Sequence, residues 1–278
     1  MGGLWNAVPY TAYAADGTIR HKSLTLLCES FPSMTYCLAI ALDSGLVFAS
    51  DSRTHAGVDY ISTYRKTHTF VWEGERVFVL LSAGNLATTQ AVVKQMHMDV
   101  AEGAPRNLQS LSHMHQVAEY IGKLSIDTQN AHRGEGPAQQ GVSFEATFIL
   151  GGQIKGHEPE LYLIYPQGNY ISVSPDQPFF QIGETKYGKP ILDRIIERSV
   201  SLEVAARCAL VSLDSTMRSN LSVGPPIDLV LYRRDSLKLD RTMRLEQNSP
   251  YLEAIRRAWS EGLRHAFDNL PELPDVEG

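Results

Sequence analysis

Cysteine is scarce in this chain of 278 residues: only Cys28, Cys37 and Cys208, far apart and odd in number. Without a Cys-x-x-Cys pair there is neither a zinc knuckle nor a disulfide framework, and a reducing cytoplasm fits such usage. No metal or other cofactor is expected. Long apolar runs are missing too, since none approaches the ~18 residues a membrane helix needs. The N-terminus lacks the basic stretch and continuous apolar segment of a secretory signal. Charge of one sign is not concentrated anywhere. The net charge of −6, with 20% charged residues and no like-charge block, argues against nucleic acid or a membrane as partner.

What remains is an ordinary globular composition, 43% hydrophobic, enough for one large core or two smaller ones. Residues 1–34 show no clear period and end in Phe31-Pro32-Ser33. Order then begins abruptly. Tyr36–Leu42 and Leu46–Ser50 are short apolar runs around Asp43-Ser44-Gly45, which predicts a buried hairpin. A second pair, Thr67–Trp72 and Arg76–Ser82, is rich in β-branched and aromatic residues. Helical spacing is expected over 86–102 and 109–132, with a Gly- and Gln-rich loop from Gly134 to Gly141.

Strands are expected again at Phe144–Leu150, Leu161–Tyr165, Tyr170–Val173 and Phe179–Ile182. Helices follow after Pro190 and from Leu202 to Asn220. Ile227–Tyr232 and Leu237–Met243 supply a last strand pair. Strands, two helices, strands, two helices, strands is a segregated α+β plan, with two sheets face to face and helices outside. At residues 250–267, Leu252, Ile255, Trp259, Leu263 and Phe267 mark a final amphipathic helix. It packs either on its own core or on a neighbouring subunit.

The chemistry centres on Thr35. It follows Met34, so methionine removal would give a free α-amine beside a hydroxyl. A Thr hydroxyl needs a base to become nucleophilic, and an α-amine with a reference pKa of ~7.7–8 can serve near neutrality. In the hairpin, Thr35 starts one strand and Asp51 ends its partner, so the two ends meet. Lys66 opens the next strand after a loop and can return to the same place. A Lys there favours the uncharged amine, and an Asp holds the Lys. Taken alone, Asp51 and Lys66 are equally well read as a structural ion pair.

The string Ser50-Asp51-Ser52-Arg53-Thr54-His55-Ala56-Gly57, followed by Lys66, resembles catalytic β subunits of the proteasome. The segments Gly183–Pro190 and Leu213–Asn220, with a long tail after Leu239, are similar to the bacterial ancestral β-subunit group, Anbu. The resemblance covers roughly Thr35 to Phe267. It implies a four-layer αββα sandwich, the N-terminal nucleophile hydrolase fold, with a C-terminal helical extension. The corresponding division is residues 1–34 absent from the active form, 35–240 the hydrolase domain and 241–278 the extension. Synthesis from Met34, or removal of a pro-segment by another protease, would account for the first part.

The same resemblance implies a threonine peptidase acting on peptide or unfolded polypeptide inside a ring or spiral homo-oligomer. It leaves open whether an ATPase partner feeds that chamber. Thr35 would be the nucleophile, Asp51 and Lys66 would tune its amine, and the Ser82-Ala83-Gly84 turn would place the Gly84 N–H as oxyanion donor. Proteasome β subunits also carry an Asp and a Ser three apart after the fourth helix. In this chain Ser219 stands at the Asp position and Ser222 at the Ser position, and Glu184 replaces a frequent Ser. These departures favour a rival expectation, a proteasome-fold scaffold with weak or no activity. A small-molecule amidase fits the Asp-Ser-Arg and Lys pattern less well.

Two other patterns imitate sites. Gly183-x-x-x-x-Gly188-Lys189 nearly spells a phosphate loop, but Pro190 stands where Ser or Thr would hold magnesium, so a strand-to-helix turn is expected. His113 and His115 would point apart on one helix, away from a shared ligand.

Overall fold

A computed structural model describes residues 35–55, 61–133 and 143–273. The chain opens with β1 (Tyr36–Leu42), β2 (Gly45–Asp51), β3 (Arg53–His55), β4 (Ile61–Thr63), β5 (Thr67–Trp72) and β6 (Arg76–Gly84). Helices α1 (Leu86–Ala101) and α2 (Met114–Arg133) follow, then β7 (Ala146–Ile154), β8 (Glu160–Ile164), β9 (Tyr170–Ser172) and β10 (Phe179–Gly183). The remainder is α3 (Lys189–Ile195), α4 (Leu202–Ser219), β11 (Ile227–Arg233), β12 (Arg241–Leu245) and α5 (Pro250–Asp268).

Two five-stranded antiparallel sheets carry the core, in the orders β10-β1-β2-β11-β12 and β5-β6-β7-β8-β9. Strand β1 shows why they stack. Tyr36, Leu38, Ile40 and Leu42 point to one apolar cluster, while Cys37, Ala39 and Ala41 point to another. Period-2 alternation with apolar residues on both faces can only be satisfied by covering both. The first face takes α3, α4 and the start of α5 (Leu192, Leu210 and Leu252). On the other, Phe48 and Tyr232 meet Val79 and Ile149 of the second sheet. That sheet's outer face packs on Val92 and Met96 of α1 and Val117 and Ile121 of α2. The result is the expected helix–sheet–sheet–helix stack.

Helix starts follow local chemistry. The Asn85 side chain accepts from the Thr88 N–H at 3.1 Å at the head of α1, and Ser201 accepts from the Val204 N–H at 3.3 Å at the head of α4. Three boundaries differ from the sequence expectation. Helix α2 begins at Met114 rather than 109, because Asn107 Oδ1 accepts from the N–H groups of Gln109 and Ser110 and closes a turn instead. His113 therefore precedes the helix, and its ring comes within 5.4 Å of that of His115 rather than pointing away. The last strand starts at Arg241, not Leu237, since Asp235 and Leu237 adopt φ of 63° and 46° and form the turn.

The expected loop at 134–141 lies outside the described residues. The short β3–β4 pair was not anticipated. Strand β12, at the start of the expected extension, hydrogen-bonds β11, and Leu245 and Leu252 belong to the core. Beyond Leu252 the helix becomes progressively exposed, reaching 51% at Leu263 and 72% at Phe267.

Candidate active site

Two β1 pairings bring the sequence-distant groups together. Tyr36 lies opposite Gly183 of β10, and Cys37 lies opposite Ser50 of β2. Thr35 at the head of β1 thus sits between the last residue of β2, Asp51, and the residue after β10, Glu184. The Tyr36 N–H donates to Asp51 Oδ1 at 3.0 Å, and the Glu184 N–H donates to the Thr35 carbonyl at 2.7 Å. Thr35 is 8% exposed.

Lys66 reaches the same place from the lead into β5. Its ammonium donates to Asp51 Oδ1 at 2.7 Å and to the Arg53 carbonyl at 2.8 Å. Asp51 is wholly buried and Lys66 nearly so. The second Asp51 oxygen accepts from the Gly224 N–H at 3.2 Å. Burial pushes the Asp51 carboxyl above the usual carboxylate range, and the Lys66 ammonium with the two backbone N–H groups pulls against that push. The beginning of β1, the end of β2 and the 220–224 loop are therefore tied to one carboxylate.

Gly84 ends β6, two residues beyond Ser82, whose N–H donates to the Lys66 carbonyl at 3.0 Å. Its φ is +105°, and a Cβ there would stand 2.4 Å from the Glu145 carbonyl oxygen. Only glycine meets both conditions. This turn hands the chain from β6 into α1, so the backbone of 82–85 borders the Lys66–Asp51 pair.

The two remaining expected residues are placed differently. Ser219 is exposed at the last turn of α4. Its neighbour Asn220 carries the polar link: Asn220 Oδ1 accepts from the Ser222 N–H at 3.0 Å and its hydroxyl at 2.5 Å, and Asn220 Nδ2 donates to Glu184 Oε2 at 3.2 Å. Ser222 thus connects through Asn220 and Glu184 to the backbone of Thr35. Asn220, Glu184 and the Gly224 N–H were missed as contributors. An Asn two residues before a Ser, with a helix ending between, was the available signal, because that spacing closes an Asx turn.

The Asp-Ser-Arg run is fixed on the same loop. Arg53 Nη1 donates to the Leu221 carbonyl at 2.7 Å, and the N–H groups of Ser52 and Arg53 both donate to the Gly224 carbonyl at 3.3 Å. Of the residues expected to border a pocket, Thr54 is half-buried and Arg65 exposed. Two residues after Lys66, His68 heads a shallow groove of about 490 Å³ that runs along α1 past Gln90, Lys94 and His97. Burial, with smaller contributions from His97 and Arg65 against the opposing pull of Asp228, holds the His68 imidazole down at about 4.

The near-phosphate loop is structural. Tyr36 Oη shares a hydrogen bond of 2.6 Å with Ser212 Oγ, which donates to the Gly188 carbonyl at 3.1 Å. A Cβ at Gly188 would lie 2.3 Å from both hydroxyl oxygens, so this glycine admits the β1–α4 contact. Lys189 is engaged by Asp193 one turn on, at 2.7 Å.

Against known proteins, the family of proteasome subunits matches residues 34–231. Among solved structures, the chain is similar to Anbu, the ancestral β-subunit, from Yersinia bercovieri, with 46% identity, TM-score 0.81, and 86% of this chain and 100% of that one covered. It is similar to the helical assembly of the Anbu complex from Pseudomonas aeruginosa at 45% identity, TM-score 0.83, with 88% and 100% covered. Anbu from Hyphomicrobium sp. strain MC1 gives 45% identity, TM-score 0.79, and 86% and 100%. No match was found among curated proteins.

Proposed function

The chain belongs to the proteasome subunit family, as a β-type subunit close to Anbu, and from that membership we propose that it is a threonine peptidase whose working N-terminus is Thr35. The buried Lys66–Asp51 pair beside Thr35 carries the reading. Thr35 Oγ attacks the scissile carbonyl carbon while its proton passes, through water, to the Thr35 amine. The charge that develops on the carbonyl oxygen falls to the Gly84 N–H. The amine then returns the proton to the leaving nitrogen, and water hydrolyses the acyl-Thr ester. Lys66 keeps the amine uncharged by like-charge repulsion, and Asp51 keeps Lys66 ionised and in place. Ser222 supports the 220–224 loop, with Asn220 beside it in the position expected of Ser219.

Peptides or unfolded polypeptides are the proposed substrates. Assembly into a ring or spiral is proposed from the Pseudomonas aeruginosa relative, described as a helical assembly. The exposed run Leu263, Phe267 and Leu270 on α5 is the surface through which copies of this chain would meet. Any ATPase partner is open.

The test is the intact mass of the protein isolated from its native host, with hydrolysis of a peptide library by wild type and Thr35→Ala. A mass beginning at Thr35 and activity abolished in the variant are expected. A Thr35→Ala protein that cuts as well as wild type ends this reading. One observation favours a second, that of an inactive scaffold: Glu184 and Asn220 occupy each other across the loop beside Thr35. An inert protein with a free Thr35 amine would establish it.

A further inference from the structure

A second carboxylate stands behind the first. Asp228 lies on β11, next to Ile227, the cross-strand partner of Asp51. It is 8% exposed, and one of its oxygens accepts from the Ser52 hydroxyl at 3.3 Å. Its charge is felt at Cys37, together with those of Lys66 and Asp51, and again at His68. Left alone, it would add a second negative charge to the surroundings of Lys66.

It is not left alone. Arg244, directly opposite on β12, donates from Nη1 to both Asp228 oxygens at 2.8 and 2.9 Å, and lies 3.5 Å from Ser52 Oγ. Its Nε is 3.5 Å from Glu246 on the outer side. The guanidinium therefore bridges the C-terminal strand to the Asp51-Ser52-Arg53 turn. The ionisable groups around that turn are Asp51, Lys66, Arg53, Cys37, His68, Asp228, Arg244 and, across Thr35, Glu184.

We propose that Arg244 is a positioning residue for the site, neutralising Asp228 and through it anchoring Ser52, so that the Asp51–Lys66 pair keeps its geometry and its balance of charge. The proposal rests on the reading of Thr35, Asp51 and Lys66 as the reacting set. It gives the strand beyond residue 240 a part in the chemistry, because the counter-charge arrives only when β12 has zipped onto β11.

The test uses the full chain as wild type, Arg244→Gln, Arg244→Lys and the double variant Arg244→Gln/Asp228→Asn. The first readout is the imidazole titration of His68 by NMR, assigned with His68→Gln, which needs no enzymatic activity. Arg244→Gln exposes the Asp228 charge and should move the His68 midpoint up from about 4 by roughly half a pH unit to one unit. The double variant should bring it back, and Arg244→Lys should leave it near wild type. The second readout is the pH–rate profile of peptide hydrolysis. Arg244→Gln should lower kcat by roughly tenfold with KM kept, displacing the acidic limb to higher pH, and Arg244→Lys should restore both.

A His68 midpoint that does not rise in Arg244→Gln, or stays equally high in the double variant, overturns the proposal whether or not the wild type cuts peptides. A wild type that is inert while the His68 shifts occur as stated overturns only the peptidase reading. Should Arg244→Gln fail to fold, the double variant and Arg244→Lys decide: both must sit near the wild-type midpoint, and a departure in either sinks the idea.

Discussion

The Lys66 ammonium lies 2.7 Å from Asp51 Oδ1, with side-chain exposures of 8% and 0%. Water is excluded from both partners, so neither charge can be compensated if the other is removed. Lys66→Met is therefore expected to destabilise the fold by about 3–5 kcal/mol, and adding Asp51→Asn should recover much of that loss. Urea unfolding of the three proteins measures both effects. In the same series peptide hydrolysis should fall at least ~100-fold in Lys66→Met and not return in the double variant.

His68 supplies a pH dependence of stability. Its folded value of about 4 lies below its ordinary 6.5 because burial penalises the imidazolium. Between those two values the unfolded chain binds more protons than the folded one, so stability rises with pH through this window. Acidification from 6.5 towards 4 should cost up to about 3 kcal/mol from this group. Urea midpoints across that range should flatten in His68→Gln, and an unchanged slope would mean another group is responsible.

Gly84 tolerates no side chain. At φ +105°, with the Glu145 carbonyl 2.4 Å from where a Cβ would stand, Gly84→Ala must displace the junction of β6 and α1. A loss of at least ~2 kcal/mol in chemical denaturation is expected, together with loss of hydrolysis. Gly74, also at positive φ but in open space, is the control: Gly74→Ala should cost no more than ~1 kcal/mol and leave hydrolysis intact.

The far end of α5 should serve assembly and not folding. Leu252 is fully buried and Arg256 is held by Asp214 at 2.7 Å, whereas Leu263 and Phe267 are exposed. Leu263→Glu/Phe267→Glu should keep the wild-type unfolding free energy within ~0.5 kcal/mol while the mass by light scattering drops. A variant of undiminished mass would place the contact between copies elsewhere.

Much of this was legible in the chain. Strands β1 and β2 announced themselves because two apolar runs flank Asp43-Ser44-Gly45, and α4 because Ser201 caps a run of helical period. Thr35, Asp51 and Lys66 could be expected to meet, since a hairpin returns its ends to one point whatever the rest of the fold does. The start of α2 was misjudged because the competing Asn107 turn uses side-chain hydrogen bonds that periodicity does not register. The last strand was misjudged because two non-glycine residues take positive φ, a conformation sequence does not lead one to assign to Leu237.

The sequence by itself, then, determined the layers, the hairpin and the three polar residues that local chain geometry returns to one place. Tertiary structure alone decided what surrounds them: that Gly224 rather than Ser219 donates to Asp51, that Asn220 joins Ser222 to Glu184, and that Arg244 covers Asp228. The physical reason is separation along the chain. Gly224 and Asp51 lie 173 residues apart, and Ser52 and Asp228 lie 176 apart, so no local period or spacing relates them. Only the pairing of β11 with β2 and of β12 with β11 sets those distances, and each pairing is fixed by which faces of the strands must be buried.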